Sequence, residues 1–133
     1  MKHLLFILFL ACYSYAYNQT PRTIVQKQLE AYNHHDIDAF MRVFSEDIEL
    51  WTLGDTIPFV QGFASVKEIY VDLFDRTPDL FSEVISRTTI GNKVIDYEKI
   101  TGRSGHSKGE ILYLIMIYEV KDGKIFRATA VRE

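Results

Sequence analysis

The sequence has one cysteine, Cys12, in 133 residues, so no intrachain disulfide and no thiolate metal site can form. Three prolines and seven glycines are too few for a repeat, linker or low-complexity architecture, and none is visible. Basic residues number 15 against 18 acidic ones, giving a net charge of −3. With no Lys/Arg stripe, this balance argues against nucleic acid as a partner and against electrostatic membrane binding. No apolar run approaches the roughly 20 residues that span a bilayer. The composition is otherwise that of a globular domain, with 47% hydrophobic and 25% charged residues. Aromatics reach 14%, enough that some are expected to line a pocket as well as fill a core.

The amino terminus has the layout of a secretory signal. Met1-Lys2-His3 is basic, Leu4 to Ala11 is unbroken apolar sequence, and Ser14-Tyr15-Ala16 places small residues three before and one before a cut after Ala16. The expectation is a signal peptide over 1–16, a domain over 17–133, and a secreted or periplasmic location. Leu10-Ala11-Cys12 also resembles a lipoprotein signal, which would leave a lipidated Cys12 and a membrane anchor. Phe9 stands where that motif prefers a smaller aliphatic residue.

Past the signal, the apolar spacing predicts helices first and strands after. Thr20 caps a first helix with Pro21 at its first position, and Ile24, Val25, Leu29 and Tyr32 follow helical spacing. Asn33-His34-His35 breaks it. Asp36 caps a second helix with Ile37, Phe40, Met41 and Phe44 on one face. Ile48 to Leu53 reads as a strand and 54–62 as a loop. Ser65-Val66-Lys67-Glu68 has the form of a capping box and predicts a third helix, with Val66, Ile69, Tyr70, Leu73 and Phe74 inward, ending at Pro78. Strands are expected over 81–90, 93–103, 109–121 and 124–132, the last two joined by an Asp122-Gly123 hairpin. Such an order is α+β: three N-terminal helices packed into a strongly curved antiparallel sheet.

The segments Gln28 to Phe40, Phe44-Ser-Glu-Asp-Ile48, Gly62 before the third helix, and Tyr118 to Ile125 resemble those of the nuclear transport factor 2-like superfamily. Within it the resemblance is to SnoaL-like domains related to ketosteroid isomerase. It implies a cone-shaped roll with a pocket between sheet and helices, and an outer sheet face that makes a homodimer. In ketosteroid isomerases an aspartate base works with an oxyanion hole of one tyrosine and one protonated aspartate. Those positions align here with Thr52, Gln28 and Ile115, so steroid isomerisation is not expected.

The strand around Asp96 and Glu98 carries the candidate catalytic chemistry. Alternation puts Val94, Asp96, Glu98 and Ile100 on one face, and Ile95, Tyr97, Lys99 and Thr101 on the other. The resemblance turns the Val94/Glu98 face inward; the alternative leaves both carboxylates solvated and packs Ile95 and Tyr97. If inward, the pair sits about 6.5–7 Å apart along the strand, and burial with mutual repulsion raises at least one pKa towards neutrality. Glu98 is then the acid/base and Asp96 its orienting partner. Gln28, Tyr32, Thr52, Tyr113 and Ile115 are the candidate ligand-binding residues. With Ile115 turned inward as the resemblance implies, parity expects Ile111, Tyr113, Ile115 and Ile117 on the concave face, and Leu112, Leu114, Met116 and Tyr118 in a dimer interface. Trp51 points away from Thr52, towards an outer patch.

His34 and His35 are adjacent, so their rings diverge and cannot share a metal; His106 reads as a solvated loop residue. No phosphate loop follows a strand, and no cofactor is expected. Two functions remain open: a cofactor-independent proton-transfer enzyme (isomerase, cyclase or dehydratase type) on a small apolar molecule, or a noncatalytic ligand-binding or dimerisation module.

Overall fold

A computed structural model describes residues 19–103 and 109–132. Residues 1–16, expected to be a signal peptide, and His106 lie outside these residues. Three helices precede most of the sheet: α1 Pro21–Asn33, α2 Ile37–Arg42 and α3 Phe63–Arg76. The strands are β1 Phe44–Thr52, β2 Val60–Gln61, β3 Phe81–Ile90, β4 Lys93–Thr101, β5 Leu112–Lys121 and β6 Lys124–Val131. They form one sheet in the order β2-β1-β6-β5-β4-β3. The α+β cone expected from the sequence is present, with the core between the helices and the inner sheet face.

The local signals explain most boundaries. Thr20 Oγ1 accepts from Thr23 N and Asp36 Oδ1 from Ala39 N, so both caps act as expected. Asp122 and Gly123 have φ of 52° and 74°, the two left-handed residues of a type I′ hairpin. Two expectations fail for tertiary reasons. Helix α3 starts at Phe63, after Gly62, with no side-chain cap, and Ser65 to Glu68 lie inside it. The chain is pinned just before the helix: β2 pairs with β1, and Gly62 N donates to Ile48 O at 2.8 Å. Strand β1 likewise begins at Phe44, four residues early, and runs parallel to β6. The rest of the sheet is antiparallel.

The larger correction concerns β5. Its buried residues are Leu114, Tyr118 and Val120, with Leu112 and Met116 packed against the core. Tyr113 and Ile115 are 51% and 37% exposed on the outer face. The parity assumed from sequence is therefore reversed. An apolar residue at every position from Ile111 to Tyr118 leaves hydrophobicity unable to choose a face. Pairing decides it, because Val94, Asp96 and Glu98 stand opposite Tyr118, Met116 and Leu114.

Gly102 closes the sheet end that borders the site. At its φ of 74°, a Cβ would lie 2.1 Å from Asp79 O and 2.8 Å from Leu80 N, both backbone atoms. Gly102→Ala should lower stability by about 3 kcal/mol or more, through overlap added to left-handed strain. Gly91→Ala, also left-handed but with nothing within 4 Å, should cost only about 1 kcal/mol. Urea denaturation of the two variants measures the difference.

Candidate active site

Asp96 and Glu98 both enter the protein, at 1% and 5% exposure. They do different things there. Asp96 is held by Arg87 in a two-pronged ion pair, with Nε to Oδ1 at 2.6 Å and Nη2 to Oδ2 at 2.7 Å. The third arm of the guanidinium donates from Nη1 to Gln26 Oε1 on α1, at 2.8 Å. Among the described residues, no cation pairs with Glu98. Its Oε2 accepts from the Ser82 hydroxyl at 2.9 Å and its Oε1 from the Tyr118 hydroxyl at 3.2 Å.

A bulge in β3 makes this arrangement possible. Ser82 and Arg87 are five residues apart, so on a regular strand they would point to opposite faces. The register shifts between Val84 and Ser86, inserting one residue against β4. After the shift Arg87 faces inward opposite Asp96, while Ser82 before it already faces Glu98. Asn33, at the end of α1, then fixes Ser82 by its backbone. Asn33 Oδ1 accepts from Ser82 N at 2.8 Å and Nδ2 donates to Ser82 O at 2.9 Å. His35, left-handed at φ 53°, stacks on Phe74 and bonds Leu80 O through Nε2, holding the approach to β3. His34 bonds Glu30 O instead, so the two rings diverge as expected. Among the described residues no His/Cys/Asp/Glu group could hold a metal.

Burial pushes the Glu98 carboxyl up to about 7; the Asp96 charge adds to this, while hydrogen bonds from Ser82 and Tyr118 oppose it. Burial also raises Tyr118 well above an ordinary tyrosine, with the Glu98 charge second. Tyr70 is pushed up to about 12, again by burial first and Glu98 second. Tyr32 is raised by burial, then by Tyr70 and Glu98. These hydroxyls therefore stay protonated and act as donors, while Glu98 changes state near neutral pH.

Beside this cluster lies a cavity of about 140 Å³. Gln28, Tyr32, Tyr70 and Tyr118 give it polar atoms, and Leu50, Ile69, Leu73, Ile100, Leu114 and Met116 an apolar wall. Arg103 and Arg132 also line it. Tyr32, Phe40, Tyr70 and Phe74 pack ring against ring between the three helices, which sets the two tyrosines. A larger open hollow of about 550 Å³, bordered by Lys27, Glu30, His34 and Arg42, includes neither buried carboxyl.

Of the candidate ligand residues, Gln28 and Tyr32 line the cavity. Thr52 shares the inward parity of Ile48 and Leu50, yet is not part of the lining. Tyr113 and Ile115 are on the outer face, so neither reaches the cavity. Shifting the aligned position from Ile115 to the inward Leu114 or Met116 supplies no carboxyl either. Trp51 turns outward, where Nε1 donates to Glu49 at 2.7 Å and Arg127 lies 5.1 Å over the ring; it still contributes to the lining. Ser82, Arg87 and Tyr118 are the residues that sequence reasoning missed. For Tyr118 no local signal exists: both faces of β5 are apolar, and only its pairing with inward Val94 shows its direction.

The profile of the SnoaL-like domain family matches residues 25–128. The chain belongs to the SnoaL-like domain family. No curated protein matches its sequence. Solved structures share its fold. An uncharacterised cystatin-fold protein from Novosphingobium aromaticivorans aligns with a TM-score of 0.77 at 18% identity, over 85% of this chain and 98% of the other. A proposed polyketide cyclase from Sinorhizobium meliloti aligns at 0.67 and 24%, over 80% and 92%. An LEH-like epoxide hydrolase from M. tuberculosis aligns at 0.70 and 15%, over 85% and 82%. At these identities the likeness is one of fold, and the neighbours differ among themselves in chemistry.

Proposed function

We propose that this SnoaL-like domain binds a small, mainly apolar molecule in its cavity and transfers a proton within it through Tyr118 and Glu98. One observation carries the reading: a buried carboxyl, free of any cation partner among the described residues and poised near pH 7, is hydrogen-bonded to a hydroxyl that lines the cavity. Protonated Glu98 passes its proton to the Tyr118 oxygen as the Tyr118 hydroxyl gives its own to a substrate oxygen. The reverse sequence takes a proton up. Tyr118 need never ionise. Gln28 and Tyr32 orient the substrate oxygen, and Asp96, paired with Arg87, positions the strand and adds a charge near Glu98 that Arg87 only partly offsets. Isomerase, cyclase or dehydratase chemistry all fit such a relay without a cofactor. A carboxyl-carbon NMR titration tests it: a Glu98 midpoint near 7 is expected, and an ordinary carboxyl midpoint would remove the proton-transfer step.

A binding module without turnover is the second reading. Its support is that Glu98 itself does not line the cavity and that all three isomerase-type positions are occupied by other residues.

We also propose that the domain is exported and forms a homodimer. Export rests on the layout of residues 1–16 and is tested by N-terminal sequencing of the exported chain. A start at Tyr17 is expected, or a lipidated Cys12 in the anchored form, and an intact Met1 would overturn both. For the dimer, the outer-face aromatics Tyr97 and Tyr113 stack at 6.0 Å beside exposed Ile115, an apolar patch for a second copy to cover. Sedimentation should find a dimer at tens of micromolar, converted to monomer by Tyr113→Glu with Ile115→Glu. A native monomer at that concentration would rule it out.

A further inference from the structure

We infer that the molecule bound in the cavity is an apolar monocarboxylate, its anionic end held by Arg103 and Arg132. This inference rests on the cavity being a binding site, as proposed above. Arg103 follows the end of β4 and Arg132 the end of β6, two strands that are separated by β5 in the sheet. Their side chains nevertheless converge on the lining of one small cavity. The chain as a whole is acidic, so two cations here run against its general charge. Arg87, Arg76 and Arg127 are neutralised by Asp96, Asp72 and Glu49, whereas Arg22 and Arg42 form no ion pair among the described residues and do not line the cavity. Among the described residues, Arg103 and Arg132 form no ion pair. Both favour the charged form of Tyr70, which places their charges towards the tyrosine side of the cavity.

The remaining wall supplies nothing for a second charge. Leu73, Ile100, Leu114 and Met116 suit a hydrocarbon body, and the tyrosines and Gln28 offer neutral hydrogen bonds. Glu98, behind Tyr118, would repel a second anionic group. A ligand complementary to this arrangement has one compact anion, a short apolar body, and any further oxygen uncharged. Arginine forks match a carboxylate better than a lysine would.

Calorimetric titration with two matched pairs tests the inference: phenylacetate against phenylacetamide, and hexanoate against hexanamide. Each carboxylate should bind about tenfold or more tighter than its amide, and added NaCl should weaken only the carboxylates. Arg103→Gln with Arg132→Gln should bring both members of a pair within about twofold, with the fold confirmed by circular dichroism. Arg22→Gln, at an exposed position of α1 outside the cavity lining, should keep the full preference. Amides binding as well as carboxylates would overturn the inference and leave the cavity reading standing. A preference surviving in the double variant would overturn the assignment to these arginines. No binding by any of the four probes at about 10 mM would overturn both this inference and the cavity reading.

Discussion

Glu98→Gln should melt higher than the native protein at pH 8 and transfer no proton. The sign follows from the direction of the shift. In the folded state the carboxyl is raised to about 7, whereas the ordinary glutamate value is 4.5. Below pH 4 the group is protonated whether folded or not, and contributes no difference. Between these values the unfolded chain releases its proton and the folded one does not, so folding loses stability as pH rises. Above 7 the loss is complete and amounts to about 3 kcal/mol. Glutamine keeps the shape and cannot ionise. The Ser82 hydroxyl can turn to accept from the new amide, while Tyr118 still donates to its oxygen. The variant and native curves of Tm against pH should therefore meet near pH 4 and separate by roughly 10 °C at pH 8. Turnover on an identified substrate should fall by about 10²–10⁴, the usual worth of a positioned acid/base. Affinity for a cavity ligand should change little, since Glu98 lies behind the lining. Parallel melting curves would show that Glu98 is an ordinary carboxylate and would end the proton-transfer reading. Unchanged turnover with the expected melting behaviour would leave a binding module with a strained carboxyl.

Much of the fold is legible in local sequence because the signals are local. Thr20-Pro21, Asp36 and Asp122-Gly123 each act within a few residues, and tertiary contacts agree with them. Where the chain is held from a distance, local reading fails. Pairing of β2 with β1 moves the start of α3 upstream of its apparent capping box. The inward face of β4 was recoverable, because Asp96 and Glu98 alternate with Ile95 and Tyr97 in a way the family resemblance could orient. The inward face of β5 was not, because both of its faces are apolar. That reversal alone displaced Tyr113 and Ile115 from the cavity and hid Tyr118. The partners of the carboxylates were hidden by geometry instead. Nothing in Ser82 to Arg87 announces a bulge, and without one Ser82 and Arg87 cannot both face β4. Reading Asp96 as the orienting partner of Glu98 missed Arg87 for the same reason.

Removing Arg87 should be among the most damaging single changes in the chain. Its side chain is 6% exposed and that of Asp96 1%, and the pair is joined by two hydrogen bonds. Such a pair adds little net stability against an apolar filling, because desolvating both charges offsets their attraction. Breaking it is another matter. Arg87→Met leaves the Asp96 carboxylate buried without its cation and Gln26 Oε1 without its donor. A loss of about 3–5 kcal/mol is expected in urea denaturation, a large share of the stability of a domain of this size. Arg87→Met with Asp96→Leu removes the stranded charge and should recover most of that loss. The cycle therefore carries a large coupling energy, which a pair exposed to water would not show. If Arg87→Met costs less than about 1 kcal/mol, the carboxylate reaches water and the buried ion pair is wrong. The double variant also separates the two carboxylates functionally. It removes the Asp96 charge that raises Glu98 together with the smaller opposing effect of Arg87, so the Glu98 midpoint should move down from about 7 while remaining above the ordinary value, because burial is the larger cause. A midpoint that falls all the way to 4.5 would make Asp96, and not burial, the group that tunes the site.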